Sequence, residues 1–189
     1  MESASGPGRI SPQTPPGPYR ATHDPLTGLA NRTLFLDRLR HCRERARRER
    51  KKFGLVVLDM DGLKQINDRW GHRAGDAALQ ELARRLQHHF KSSDSVARLG
   101  GDEFAVLLSH IGDRVSIATE IQNASHALEP PFEFAGKLLR LKASLGGALY
   151  PDDAGDIDEL LDRADQAMYE RKRNRLNAAR RPVTLGDIK

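Results

Sequence analysis

One cysteine, Cys42, is all this 189-residue chain carries, so no intrachain disulfide can form. That scarcity is compatible with a reducing cytoplasm, the expected location, rather than with a disulfide-stapled secreted domain. Nowhere does an apolar run approach the roughly 20 residues that span a bilayer. The first residues also lack the basic segment and apolar core of a secretory signal. No internal repeat is evident. The apolar fraction is only 38%, yet it falls into periodic runs that can supply one core. The length suits one domain with extensions better than two equal domains.

Positive charge prevails, with 31 Lys plus Arg against 26 Asp plus Glu and a formal charge of +5. This balance favours anionic ligands in general, without indicating DNA or RNA. No groove-reading helix or aromatic stacking platform accompanies it, so direct nucleic-acid binding is a distant reading. Nor is membrane binding expected. Arg40–Lys52 reads as a solvated helix face, while Arg171–Arg181 is open to other roles. Residues 1–20 hold Pro7, Pro12, Pro15, Pro16 and Pro18 among glycines and serines, the composition of a flexible leader. The compact domain is expected over 21–177, with a tail at 178–189.

Periodicity places the elements. Phe35, Leu39, Cys42 and Ala46 mark a helix from near Asn31 toward Glu49. Phe53–Leu58 is continuously apolar with adjacent valines, as a buried central strand requires, and delivers Asp59 at its end. Leu79, Leu82, Leu86 and Phe90 mark a second helix. Its adjacent His88 and His89 point in different directions, so they make no two-histidine metal clamp and read as solvated. Val96–Leu99 and Glu103–Leu108 form a hairpin around Gly100-Gly101, where paired glycines admit the positive φ of a tight turn. A helix follows over Asp113–Leu128 and stops at Pro130-Pro131. Further strand structure is expected at Leu138–Leu145 and Ala148–Tyr150, and a last helix at Ile157–Arg171. The order predicts an α+β domain with helices on a mostly antiparallel sheet.

Two acidic clusters then fall at complementary element ends. Asp59 follows the buried strand, and Asp102 lies just past the glycine turn. If those elements adjoin, both carboxylates and the Met60 carbonyl can converge on Mg²⁺, a hard ion that takes oxygen ligands and nucleotide phosphates. Taken singly, these aspartates could merely cap turns.

The motifs around them are specific. Asp24-Pro25-Leu26-Thr27-Gly28-Leu29-Ala30-Asn31-Arg32 resembles the opening motif of the GGDEF family of diguanylate cyclases. Asp59-Met60-Asp61-Gly62-Leu63-Lys64-Gln65-Ile66-Asn67-Asp68 and Gly71-His72-Arg73-Ala74-Gly75-Asp76 match its second signature. Ala97-Arg98-Leu99-Gly100-Gly101-Asp102-Glu103-Phe104 matches the turn for which the family is named. Ser144-Leu145-Gly146 and Ala164-Asp165-Gln166-Ala167-Met168-Tyr169 resemble later segments. The resemblance covers roughly 21–177.

It implies the palm-like fold of nucleotidyl cyclases and condensation of two GTP into cyclic di-3′,5′-GMP with release of two pyrophosphates. It assigns Asp59, the Met60 carbonyl and Asp102 to two Mg²⁺ ions per GTP site, with Mn²⁺ an alternative. Asn67 and Asp76 would contact guanine, and Lys64 and Lys172 the triphosphate. Those roles suit the groups, since an amide and a carboxylate can read guanine's edge and lysines offset phosphate charge. Without the motifs the lysines would be ordinary surface residues, Asn67 and Asp76 turn or cap groups, and His72 structural. Asp68 is expected to support a local turn. Glu103 is a candidate for assisting 3′-hydroxyl activation, with the metal site or a substrate phosphate as the alternative proton route. Each domain would hold one GTP, so the implied catalyst is a symmetric homodimer or transient dimer. An upstream sensor domain outside this chain would account for the lack of an obvious dimerisation helix in the leader.

Two departures stand out. The family's inhibitory product site is Arg-x-x-Asp, but this chain has Lys91-Ser92-Ser93-Asp94. Lysine lacks the planar donor fork, so feedback by cyclic di-GMP is expected to be weak or absent. The family also often carries glycine then arginine before its final asparagine, where this chain has Arg175-Leu176-Asn177. Leu176 cannot contact phosphate, and Arg175 is the candidate replacement. The C-terminal departure and the missing dimerisation module make a catalytically weak GTP-binding regulatory domain the alternative to an active cyclase.

Overall fold

The computed structural model describes residues 17–180. The expected leader up to residue 16 and the tail from residue 181 lie outside the described residues. Helix α1 (Gly17–Thr22) begins within the segment read as leader. Tyr19 stacks on His23 with ring centroids 3.8 Å apart, and the Tyr19 hydroxyl donates to the Gly28 carbonyl.

Helix α2 (Arg32–Glu49) starts where Asn31 Oδ1 accepts the Leu34 N–H, the bond that an N-cap supplies. Then come β1 (Phe53–Met60), α3 (Leu63–Trp70), α4 (His72–His89), β2 (Ser95–Gly100), β3 (Glu103–Leu108) and α5 (Arg114–Leu128). A short hairpin, β4 (Phe132–Phe134) and β5 (Lys137–Leu139), precedes β6 (Ala143–Tyr150) and α6 (Ile157–Arg180). The hairpin turns at Ala135-Gly136, both at positive φ.

The main sheet runs β2-β3-β1-β6, and every pairing is antiparallel. This is an α+β fold with a central antiparallel sheet and flanking helices, as expected. β1 lies inside because its side chains are apolar on both faces. Val56, Leu58 and Met60 join Leu79, Leu82 and Leu86 of α4 and Ile117 and Ile121 of α5 in one core. Leu55 and Val57 join Phe35 and Leu39 of α2 and Leu160 and Ala164 of α6 in the other. Burial of each such leucine contributes about 2 kcal/mol. Strand alternation then sends Asp59 to the α2/α6 side, where the apolar run gives way to the carboxylates.

Several local expectations change. Asp68, expected in a turn, lies within α3. His89 is half-buried, with Nε2 3.1 Å from Glu120, whereas His88 is exposed. Residues 140–142 separate β5 from β6, and β6 runs unbroken through 146–147. α6 continues past Arg171, because arginine, alanine and leucine sustain a helix without an apolar stripe.

Candidate functional site

The β1–β3 register sets Asp59 opposite Glu103, so adjacent strands present these two carboxylates at one end of the sheet. Gly100 (φ 147°) and Gly101 (φ 54°) make the turn before them. Asp102 follows, and its carbonyl accepts the Met60 N–H at 2.9 Å, drawing the turn against the end of β1. Glu103 is exposed and lines a hollow of about 240 Å³ with Arg32 and Asp165. Burial first, then the neighbouring Asp162, raises the Asp165 carboxyl above its ordinary range.

α6 brings cations to these acids. Lys172 Nζ lies 2.6 Å from Asp59 and 3.7 Å from Asp61. The hydrogen bond to Asp59 is the main cause of a raised Lys172 pKa; attraction to Asp59, Asp61 and Asp102 adds to it, against the opposing effect of burial. Arg175 pairs with Asp61 and also donates to Ser144 Oγ and the Ala143 carbonyl, each at 3.0 Å. The expectation for Leu176 falls on a side chain outside the described set.

Among the described residues, no three carboxylate, imidazole or thiol side chains form a self-contained metal cage. The expected donors, two carboxylates and the Met60 carbonyl, are hard oxygens that leave room for phosphate ligands, and a cation, the Lys172 ammonium, already sits 2.6 Å from Asp59. That chemistry fits Mg²⁺.

α3 and α4 meet beside this centre. Asn67 is half-buried, and a Cβ built on Gly75 would lie 1.9 Å from its Oδ1. Gly75 therefore provides the space that the Asn67 amide occupies against α4. Asp76 and Lys64 are exposed. The structure thus sets Asn67 against Gly75, the residue before Asp76, and brings Asp59 together with Glu103 and Lys172.

Sequence reasoning assigned no role to Arg98. Its Nε and Nη2 donate to the Gly101 carbonyl at 3.0 and 2.7 Å. Its Nη1 reaches both oxygens of Asp24 at 3.1 and 3.2 Å. Only 12% of the Arg98 side chain and 18% of Asp24 is exposed, so the pair is shielded. Asp24 in turn accepts from the Thr27 N–H and hydroxyl. Burial alone would raise the Asp24 carboxyl, but hydrogen bonds from Thr27 and Arg98 outweigh it and hold the pKa below the ordinary carboxylate value. One guanidinium thus fastens the opening segment to the glycine turn.

The profile of the "Diguanylate cyclase, GGDEF domain" family matches residues 21–178. The chain belongs to the GGDEF family. Among relatives, this GGDEF domain is 40% identical over 152 residues to the bifunctional diguanylate cyclase/cyclic di-GMP phosphodiesterase MucR of Pseudomonas aeruginosa. That match covers 80% of this chain and 22% of MucR. It is 38% identical to the diguanylate cyclase TpbB of the same organism, covering 89% of this chain and 39% of TpbB. The chain therefore spans well under half the length of these relatives. Among solved structures, a sensory box/GGDEF family protein from Caulobacter crescentus aligns with a TM-score of 0.76 at 40% identity, over 81% of this chain and 99% of that one. The GGDEF domain of DgcB from the same organism, solved with c-di-GMP, aligns with a TM-score of 0.74 at 30% identity, covering 82% and 91%.

In the Lys91-Ser92-Ser93-Asp94 segment of this GGDEF domain, Asp94 holds the local backbone. It accepts the Lys91 backbone N–H at 3.2 Å and the Ser109 N–H at 3.0 Å. The link is to the Lys91 main chain rather than its ammonium, and Lys91 is exposed. Among the described residues, no helix is long and apolar enough to cross a membrane.

Proposed function

We propose that this domain is a diguanylate cyclase condensing two GTP into cyclic di-3′,5′-GMP with release of two pyrophosphates. The observation carrying this reading is the juxtaposition of the acidic centre at the β1 and β3 ends with Asn67, Gly75 and Asp76 on the adjoining helices. Family membership over 21–178 and the c-di-GMP-bound DgcB domain support it. Asn67 and Asp76 read the guanine edge through amide and carboxylate hydrogen bonds. Lys64 and Lys172 neutralise the triphosphate, with Lys172 exchanging its Asp59 partner for phosphate. Asp59, Asp102 and the Met60 carbonyl would hold two Mg²⁺ ions, or Mn²⁺, which when bound polarise the α-phosphate and acidify the attacking 3′-hydroxyl. Glu103, beside Asp59, is positioned to accept a proton at that hydroxyl. Each domain holds one GTP, and two domains face each other so that each 3′-hydroxyl meets the other's α-phosphorus. The reaction is expected in the cytoplasm.

A second reading, a GTP-binding regulatory domain of low activity, draws on Arg175. Its guanidinium is engaged by Asp61 and Ser144, and Leu176 stands where an arginine is expected. Incubation with GTP and Mg²⁺ across protein concentrations, followed by product chromatography, decides between them. Cyclic di-GMP formation that rises faster than linearly with protein supports the cyclase. GTP binding with no product at high concentration supports the regulatory domain.

A further inference from the structure

Beside the acidic centre, along the outer edge of β6, lies a hollow that the cyclase reading does not use. Two adjoining cavities of about 420 and 360 Å³ share Ser125, Glu129, Ala143 and Arg175. β6 is an outer strand of the sheet, so no neighbouring strand fills this side. The walls are cationic for a stereochemical reason. Arg171 and Arg175 are four residues apart on α6 and therefore project to the same side. Arg140 and Lys142 flank buried Leu141 in the segment entering β6, and both are exposed. Among the described residues, Arg140, Lys142 and Arg171 make no ion pair, and Glu129 is the one carboxylate on the cavity walls. These three cations, without a carboxylate partner among the described residues, stand around the hollow, and an anion bound between them would lower their mutual repulsion.

We propose that this hollow is an anion site that takes a polyphosphate group, held by Arg140, Lys142, Arg171 and Arg175 with Ser125 as a hydrogen-bond donor. The cations come from two separate walls. An anion with charge on more than one phosphorus reaches both, whereas a single phosphate engages one. The volume lies in the range of small-molecule sites. Arg175 couples this hollow to the acidic centre, since the same guanidinium holds Asp61 and Ser144 while Ser144 donates to Asp61 at 3.2 Å. An occupant that recruits Arg175 leaves Asp61 to Lys172, and by linkage the state of the acidic centre alters affinity for the occupant. The proposal stands on these contacts and does not depend on cyclase activity.

Isothermal titration of inorganic pyrophosphate into metal-free protein tests it. Arg140→Ala/Arg171→Ala should weaken binding by about tenfold or more, as loss of two charge-assisted contacts implies. The same loss of charge on α2, Arg40→Ala/Arg48→Ala, should leave it nearly unchanged. All of these arginines are exposed, so unchanged urea unfolding will show that each variant is folded. Undiminished affinity in the Arg140/Arg171 variant, or an equal loss in the α2 control, would overturn the proposal. Repeating the titration with a nonhydrolysable GTP analogue already bound distinguishes the sources. Persisting pyrophosphate binding that the Arg140/Arg171 variant abolishes identifies a free polyphosphate. Competition, with analogue affinity also reduced in the Arg140/Arg171 variant, identifies the nucleotide's own tail.

Discussion

Replacing Gly75 with alanine should raise stability slightly while damaging nucleotide recognition, an unusual pairing of signs. Gly75 lies in the first turns of α4 without positive φ, so alanine suits its backbone. Alanine is better than glycine in a helix interior by about 1 kcal/mol. Leu63 Cδ1, 3.2 Å from the added methyl, returns a few tenths of that. The net gain of about 0.5 kcal/mol corresponds to roughly +1 to +2 °C in Tm for a domain of this size.

The other neighbour is the Asn67 amide. Its Oδ1 would be 1.9 Å from the new methyl and must retreat by about 1.1 Å to reach 3.0 Å, below which such contacts are essentially never seen. The end of a flexible side chain can do this at little cost in folding, but not while keeping a directional bond to a nucleobase. Losing one hydrogen bond of about 1–2 kcal/mol corresponds to about 5- to 30-fold in affinity. The expected result is a higher KM for GTP and a smaller preference over ATP, with an unchanged or raised melting temperature. Steady-state kinetics with both nucleotides, beside calorimetric unfolding, measures the two effects. A Gly75→Ala protein with unaltered KM would refute the role given to Asn67, and a destabilised one would refute the packing argument.

Gly146→Ala should behave oppositely, because its added methyl would meet the backbone of α6, 2.1 Å from Met168 N and 2.4 Å from the Ala164 carbonyl. A helix cannot yield as a side chain does, so a loss of about 3 kcal/mol is expected in urea unfolding. Arg98→Ala should cost about 2 kcal/mol by stranding Asp24 and the Gly101 carbonyl, and Arg98→Lys should recover little of it because lysine cannot span both partners; chemical denaturation of the pair measures this. Glu81 provides the pH test: Arg84, then Arg85, hold its carboxyl at about 2 against an ordinary 4.5 despite opposing burial. Its stabilisation is full above pH 4.5 and is lost as pH falls toward 2, so Glu81→Gln should flatten the stability profile across that window.

The sheet and the glycine turn were legible because each is encoded locally. A continuous apolar run can only be buried on both faces, and two adjacent glycines before a carboxylate mark a turn whatever surrounds them. α3 was not legible. It buries no residue completely and rests on partly buried Leu63 and Ile66, so its eight residues carry too little apolar pattern to announce a helix. The far half of α6 is equally silent, since an exposed arginine-rich helix has no stripe to read. The Arg98–Asp24 pair was hidden for another reason. Both residues stood within recognisable motifs, but 74 positions separate them, and it is a tertiary bridge between Ala30 and Ala97 that brings the segments together. His89 shows the same limit, for its partner Glu120, 3.1 Å from Nε2, lies on α5.

The C-terminal departure gains a physical meaning from the helix that carries it. Moving an arginine from position 176 to 175 turns it by about 100° around the axis of α6 and shifts it about 1.5 Å. The charge is kept and its direction is lost. The contacts of Arg175 agree, since they lie on Asp61, Ser144 and the Ala143 carbonyl at the β6 edge. On this geometry Arg175 clamps the second aspartate of the acidic motif and faces the β6 edge, not the direction of the arginine it would replace. On the cyclase reading, Lys172 and Lys64 would then be left to offset the triphosphate's charge. Weaker ground-state binding of GTP follows without any fault in the acidic centre itself. A raised KM with preserved kcat would accordingly indict the arginine's direction, whereas a lost kcat would indict Asp59, Asp102 or Glu103.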